Sequence, residues 1–520
     1  MSQPDPVRIL MELRTCFEGF AGIPQETRLL FSAFLDMPAL KVDGLINHTG
    51  QRLGKALEPG GSYEGARTHK RYDRLSQFVA STLEPESRSG WAKAQETVLR
   101  ELLPWGLAAK TKLGMDLKLH RFDPAEYSDF LWETFFAASL PPNERGKIGA
   151  TDYRTLSMPW RAMHRAGLVG GQAMSSYPTV DTRGYDIVIS QTPYPARLPQ
   201  GSQLLVRYHD AIPMFQTHTI PTARFHAKSH YRALLDNASH AVFACTSNSV
   251  RKDLLTMFPA LEKRSRVIHD VVSHSYSPEP VRVGAAAEII RSRLNPKTEP
   301  RWGSSSGATS GSNSPHLKAQ FYEQHLLSKP LRYLLMVSSI EPRKNHMRLM
   351  RAWEALRMRG DSDLKLVFVG AIGWHVENLL NALKPWQERG ALFHLSNVPV
   401  GDMRQLFAAA ECVVCPSVAE GFDLSGIEAM LCGGAVAASD IPVHREVYGD
   451  SAEYFDKYSV SEIADCIGRL IDPARKSERA ALQQRGIAHA QQYKREVIAP
   501  QWGELFSRIR AGDFAAGLRP

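Results

Sequence analysis

Two carboxylates and a pair of cations are the residues in this chain whose types and spacing suit chemistry. Glu420 and Glu428 bracket a polar, glycine-containing stretch as E-x7-E, and Arg343-Lys344 stand side by side just ahead of a helical pattern. Gly421 lets the backbone come close to a ligand, and the amides of a helix opening near Ser425 offer donors and a positive dipole end to an anion such as a diphosphate. Glu428, one turn inside, is placed to accept ribose hydroxyls. A purely structural alternative stays open for it, because Ser425 to Glu428 is also S-x-x-E, a capping box that needs no ligand. Glu420 has no such local partner in the sequence, and two cations at the positive end of a helix are poorly placed unless an anion shares the site. His209, followed by Asp210 at the end of the apolar run LLVRYHD, is the candidate in the first half of the chain. Gly19 and Gly22 in EGFAGIPQ form a loop whose backbone can approach phosphate or a second substrate.

The elements that must hold these residues alternate. Residues 7–13 (VRILMEL) read as a buried strand, and a helix with Pro24 near its start follows. Strands are expected at YDIVIS, LLVRYHD, AVFACTS and SRVIHDVV, interleaved with helices. Between residues 50 and 175 this rhythm gives way to a largely helical insertion. RWGSSSGATSGSNSPH at 301–316 has almost nothing to bury and reads as a flexible linker, assigned to 301–328. The first domain is therefore expected over 1–300. A second, cleaner βα series fills 329–490, with strands at LRYLLMVSS, LKLVFVG, LFHLSN, CVVCPS, AVAASD and AEYFD. The last stretch, 491–520, is expected to be a helix that packs back on the first domain. Ligands of such α/β sheets bind at the carboxyl ends of the strands, where the candidate residues stand.

Composition sets the frame. At 520 residues two α/β domains are the better expectation than one, and 43% hydrophobic against 22% charged residues suffices for real cores. The amino-terminal residues lack the pattern of a secretory signal, and no apolar run approaches the ~20 residues of a membrane span, so a cytoplasmic protein is expected. Six scattered cysteines fit reduced thiols. Cys412 and Cys415 form a CxxC inside a strand, with no second pair to complete a metal site. Asp361-Ser362-Asp363 is a DxD, read as a turn rather than a metal site. A net charge of +9 selects no partner by itself, and no nucleic acid is expected. WGLAAKTKLGMDLKLHRF at 105–122 interleaves Trp105, Leu107, Leu113, Leu117 and Phe122 with Lys110, Lys112, Lys118 and Arg121. It reads as an ordinary basic helix packed on its domain, or as a peripheral contact with an anionic membrane.

EGFDLSGIEAMLCGG resembles the EGFG-L-P-x-x-EAM-x-x-G signature of the retaining GT-B glycosyltransferases, the large family 4 group. SSIEPRKNHMRLMRAWEAL and SDIPVHREVYGDSAEYFD resemble the flanking elements of that family, so the likeness covers residues 331–470. It implies a GT-B fold of two Rossmann-like domains facing a central cleft, with donor in the C-terminal domain and acceptor in the N-terminal one. It implies transfer with retention of configuration, GDP-mannose as the leading donor, a glycan or lipid-linked saccharide as acceptor, and no cofactor or metal. By position, Arg343 and Lys344 would contact the donor diphosphate, Glu420 the sugar and Glu428 the ribose. Gly22, Gly421, Phe422, Asp423, Leu424 and Ser425 would line the donor, and His209 would approach the sugar. Two departures bear on this. Asp423 and Ser425 stand where many members have Gly and Pro, and Ser338-Ser339 where many have Gly-Arg. A sugar-nucleotide hydrolase or epimerase, or a basic scaffold without turnover, are the alternatives within the same fold.

Overall fold

The structure is a computed structural model that describes residues 5–19, 22–58, 68–83, 90–169, 177–299 and 315–514. It contains two compact units. The first comprises residues 1–217, 222–271 and 495–520, and the second residues 218–221 and 272–494.

The first unit is built on an eight-stranded sheet. Its strands are β1 (Val7–Glu12), β2 (Leu40–Ile46), β3 (His120–Phe122), β4 (Tyr153–Thr155), β5 (Ile187–Ser190), β6 (Gln203–Tyr208), β7 (Val242–Cys245) and β8 (Ser265–Val267), in the order β3-β4-β2-β1-β5-β6-β7-β8. All neighbours are parallel except the edge pair β3–β4. The strands read as nearly unbroken apolar runs because both faces are covered. Ile9 and Met11 enter one core and Leu10 the other.

The region 50–175 is more than a helical insertion, since it supplies β3 and β4 to the sheet. Strand β2 is not announced by its sequence, LKVDGLI, which carries Asp43 and Gly44. The structure accounts for both. The Tyr185 hydroxyl donates to Asp43 Oδ2 at 2.5 Å, and a Cβ on Gly44 would lie 2.6–2.8 Å from Leu13 and Tyr153. The stretch 105–122 is not one helix either. The helix Gly90–Lys112 ends, and β3 begins at His120.

The second unit has six parallel strands, β9 (Tyr333–Val337), β10 (Lys365–Val369), β11 (Leu392–Leu395), β12 (Cys412–Cys415), β13 (Val436–Ser439) and β14 (Glu453–Phe455). Their order is β11-β10-β9-β12-β13-β14. Numbered within the unit this is 3-2-1-4-5-6, the doubly wound nucleotide-binding order, whose reversal of direction lies between β9 and β12.

The division between units falls at Val271–Val272, ahead of the linker on which the sequence reading placed it. Val272, Tyr276, Ile289 and Ile290 are buried in the second unit's core, which claims this stretch. The Ser/Gly-rich residues 301–314 lie outside the described residues. Residues 315–327, assigned to the linker from the sequence, are helical, and Tyr322 and Leu326 are buried in the same core.

The helix Arg495–Arg510 belongs to the first unit. Trp502 is fully buried there, edge-on to Phe34 at 5.4 Å and beneath the Arg207 guanidinium at 5.2 Å. Replacing it with alanine removes a large buried ring that the surroundings cannot refill. Trp502→Ala should cost about 3–5 kcal/mol in urea unfolding followed by circular dichroism, and Trp502→Phe clearly less.

Candidate functional site

The second unit gathers its charged residues where β9 and β12 end side by side. After β9 the chain passes through Ser338 and Ser339 into the short 3-10 turn Pro342–Lys344, then Asn345 at φ +66° opens the helix His346–Met358. Asparagine tolerates this left-handed geometry, and here its amide is used as well. Asn345 Nδ2 donates to the carbonyls of Pro416 at 3.0 Å and Lys457 at 2.9 Å, and the amide of Val418 donates to the Arg343 carbonyl at 2.9 Å. The loop after β9 is thereby fastened to the loop after β12.

Glu420 sits at the junction. Its Oε2 accepts from Arg343 Nη1 at 2.5 Å and its Oε1 from Lys344 Nζ at 2.6 Å. Arg343 also donates to Glu341 Oε1 at 2.7 Å and the Ala419 carbonyl at 2.8 Å. The Glu420 side chain is 6% exposed, against 16% for Arg343 and 13% for Lys344. Burial by itself would raise the Glu420 pKa, but the two cations outweigh it and hold the carboxyl below its ordinary value. Arg343 and Lys344 are thus already aimed at an anion, and Lys344 spends one of its three donors on Glu420.

The helix Leu424–Leu431 starts one residue before the expected Ser425, with Asp423 as its cap. Asp423 has φ +80°, and its Oδ1 accepts from Ser425 N at 3.3 Å and Ser425 Oγ at 2.6 Å. Its Oδ2 faces His444 Nε2 at 3.2 Å. Burial would raise the Asp423 pKa, but His444, Lys344 and Ser425 bring it far below the usual carboxylate range. Two sequence expectations change. The capping box at Ser425–Glu428 is not formed, because the cap is Asp423 and Glu428 lies beyond the third helical position. The amide of Ser425, expected to serve a ligand anion, is given to Asp423. Glu428 is buried, and the Tyr276 hydroxyl hydrogen-bonds to it.

Phe422 and Leu424 are buried in the hydrophobic core, Phe422 edge-on to Tyr493 at 5.3 Å. They can offer a ligand their backbone only. Gly421 stands half-buried between Glu420 and Phe422. Asn345, Tyr276 and His444 were missed as site residues. Asn345 had a local signal as the last letter of EPRKN and His444 as part of SDIPVHREVYGD, whereas Tyr276 had none.

In the first unit the polar residues also lie at strand carboxyl ends. Glu12 closes β1 and is fully buried. It accepts from Arg14 Nε at 2.8 Å, Ser190 Oγ at 3.1 Å and the Gln191 amide at 2.9 Å. Arg14 stacks on Trp160 at 4.3 Å and reaches Thr49 and Thr192. His209 follows β6, its ring buried, with Nε2 3.4 Å from Gln191 Oε1 and 3.6 Å from Glu26 Oε2. Burial pushes its pKa down to about 4, so the ring is neutral near pH 7. Gly19 and Gly22 have φ +89° and +69°, and a Cβ on either would meet open space. Glycine suits this backbone geometry at both positions.

Ligand atoms of Glu26, His209 and Asp270 lie within 4.8 Å of one another, a spacing that a cation could use. The Arg207 guanidinium already stands among them, 2.6 Å from both Glu26 Oε1 and Asp270 Oδ1. Cys412 and Cys415 point into opposite cores of the second sheet and cannot share a ligand. Asp361 pairs with Arg332 at 2.9 Å and Asp363 with Lys329 at 3.0 Å.

Residues 318–488 match the family described as Glycosyl transferases group 1. The protein carries a glycosyl transferases group 1 domain. Among curated relatives, the O-antigen chain mannosyltransferase B of Escherichia coli is 34% identical over 169 residues, which cover 32% of this chain and 44% of that protein. The serotype-specific mannosyltransferase WbdA of the same organism is 35% identical over 134 residues, 26% of this chain and 16% of its own length. The chain therefore spans less than half of these relatives. Solved structures extend the likeness to the whole fold. Sucrose-phosphate synthase from Thermosynechococcus elongatus aligns with a TM-score of 0.52 at 13% identity over 97% of this chain and 100% of its own. Anabaena HepE, solved with UDP and glucose, aligns with a TM-score of 0.51 at 14% identity over 96% and 99%. Both sheets are Rossmann-like and the fold is that of the GT-B glycosyltransferases.

Within the group 1 domain, the depressed pKa of Glu420 makes a stability prediction. A carboxyl lowered on folding adds stability above its unfolded pKa, and that contribution fades as pH falls through the folded value. Glu420→Gln leaves two cations facing a neutral amide and should cost about 3 kcal/mol near pH 7. The difference from wild type should shrink as urea titrations are repeated below pH 4.5, the carboxyl's ordinary value.

Proposed function

We propose that this protein transfers a sugar, mannose foremost, from a nucleotide diphosphate sugar to a glycan or lipid-linked saccharide acceptor in cell-surface polysaccharide synthesis. The carrying observation is the convergence of Arg343 and Lys344 on Glu420 at the reversal point of the second sheet. A departing nucleoside diphosphate gathers negative charge, and two fixed cations beside it lower the energy of that charge more than they lower the ground state. Glu420, held by both, is positioned to orient the sugar, and Glu428 to hold the ribose. The cations supply the positive charge that a metal would otherwise bring, and no metal is required. Mannose is supported by the names of the relatives, since four matches at 34–35% identity are mannosyltransferases. The family resemblance supports retention at the anomeric carbon.

The direct test is thermal stabilisation by GDP, UDP, dTDP and ADP and their sugars, with and without EDTA. A nucleotide at about a hundredfold over its Kd should add roughly 2.7 kcal/mol. Stabilisation by GDP-mannose that survives EDTA is expected, and none with any nucleotide would leave the scaffold reading. Arg343→Ala and Lys344→Ala should each weaken nucleotide diphosphate binding by about tenfold to a hundredfold, the size of a lost charge-assisted hydrogen bond. Product analysis separates transfer from hydrolysis or epimerisation, either of which would alter the nucleotide sugar with no acceptor present.

A peripheral contact with an anionic membrane at the cytoplasmic face belongs to the same proposal. Among the described residues no helix is long and apolar enough to cross a bilayer. Leu107 is buried, but Leu102, Trp105, Leu113 and Met115 are 52–75% exposed, beside exposed Lys110, Lys112 and Lys118. Apolar side chains next to lysines suit the boundary of acidic lipids, each lysine adding about 1 kcal/mol near such a surface. The protein should sediment with phosphatidylglycerol vesicles and not with phosphatidylcholine vesicles. The double variant Trp105→Ser, Leu113→Ser should reduce the bound fraction severalfold, and equal sedimentation of variant and wild type would refute the contact.

A further inference from the structure

His209 is buried in such a way that its two ring nitrogens face different surroundings. Nε2 is flanked by Gln191 Oε1 at 3.4 Å and Glu26 Oε2 at 3.6 Å. Nδ1 has no hydrogen-bond partner among the described residues, and the side chain keeps 8% of its surface exposed. The backbone at His209 is held as well, since Thr246 Oγ1 donates to its carbonyl at 3.0 Å.

Glu26 lies in the first turns of the helix Ile23–Leu35 and is fully buried. Its Oε1 takes both Arg207 Nε at 2.8 Å and Arg207 Nη2 at 2.6 Å. Arg207 is fully buried too, and is anchored further by Asp270 Oδ1 and the Ile268 carbonyl, each at 2.6 Å. Burial and the nearness of Glu26 push the Asp270 carboxyl well above its usual range, and Asp270 hydrogen-bonds to Glu26. The second oxygen, Glu26 Oε2, is enclosed without a hydrogen-bond donor. An enclosed carboxylate oxygen favours a further donor, and His209 Nε2, 3.6 Å away, can turn an N–H toward it.

We propose that Glu26 is a positioning residue which, with Gln191, keeps the single proton of neutral His209 on Nε2, so that Nδ1 is presented as a hydrogen-bond acceptor to a hydroxyl of the bound carbohydrate. The tautomer follows from the atoms around the ring. Gln191 could turn its amide, but Glu26 can only accept, and it decides the choice. An Nδ1 lone pair selects a ligand group that donates, such as a sugar hydroxyl, and disfavours a carbonyl or carboxylate at that spot. The carbohydrate part rests on the function proposed above, while the tautomer does not.

The test is long-range proton–nitrogen correlation on histidine-labelled full-length protein at pH 7 without ligand, with the His209 signals assigned by their loss in His209→Gln. The Nε2–H form is expected in wild type and in Gln191→Leu, which leaves the Glu26–Arg207 pair untouched. In Glu26→Gln the new amide can donate to Nε2, and the proton should move wholly or partly to Nδ1. In turnover, the same variant should lose about tenfold or more in kcat with little change in the KM for the nucleotide sugar, the loss of a hydrogen bond to a reacting ligand. An Nδ1–H form in wild type overturns the proposal without need of any variant, as does a folded Glu26→Gln protein with an unchanged tautomer. An Nε2–H form in a protein that transfers no sugar would instead uphold the role of Glu26 and sink the functional reading.

Discussion

The second unit depends on one ion cluster, Glu420 clamped between Arg343 and Lys344. These residues are 76 and 77 positions apart in the chain and meet because β9 and β12 are neighbours at the place where the strand order reverses. Burying a lone carboxylate would be prohibitive, and two cations so close together would repel; each side is tolerable only because the other is present. Glu341, paired with Arg343 at 2.7 Å, balances the second cation, and the four charges stand together at the end of a parallel sheet.

The surroundings act to keep that cluster rigid. Asn345 fastens the loop after β9 to the carbonyls of Pro416 and Lys457, so neither cation can drift from the carboxylate. Asp423, bound by Ser425 and His444, sets the start of the next helix in a left-handed geometry that a glycine would reach without strain. The aspartate compensates by supplying its own cap. It also places a second buried carboxylate near Lys344.

The first unit follows the same rule with other residues. Buried Glu12–Arg14 and Glu26–Arg207 pairs lie at the carboxyl ends of its strands or against them, and each has another duty besides neutralising its partner. Glu12 ties the end of β5 to β1 through the Gln191 amide, and Glu26 leaves an oxygen toward His209. Charges are expensive in such a core and are tolerated there because they are paired.

Much of this was legible in the chain. Strands buried on both faces announce themselves as apolar runs, so β1, β5 to β8 and all six strands of the second unit were readable, and so was the cluster at 420–428 with Arg343-Lys344. Strand β2 was not, because Asp43 and Gly44 break the run and are explained only by Tyr185, Leu13 and Tyr153, distant in sequence. The unit boundary was drawn on composition, whereas the burial of Tyr276 and Ile290 decides it. Local pattern determined which residues form strands and which loops carry chemistry, because periodicity and spacing are properties of neighbours. Only the tertiary structure decided that Asp423, not Ser425, caps its helix, that Phe422 and Leu424 belong to the core, and that Glu26 faces His209. Those outcomes depend on which buried group finds a partner across the fold, and the energy of burying a charge is settled by residues 21, 77 or 181 positions away.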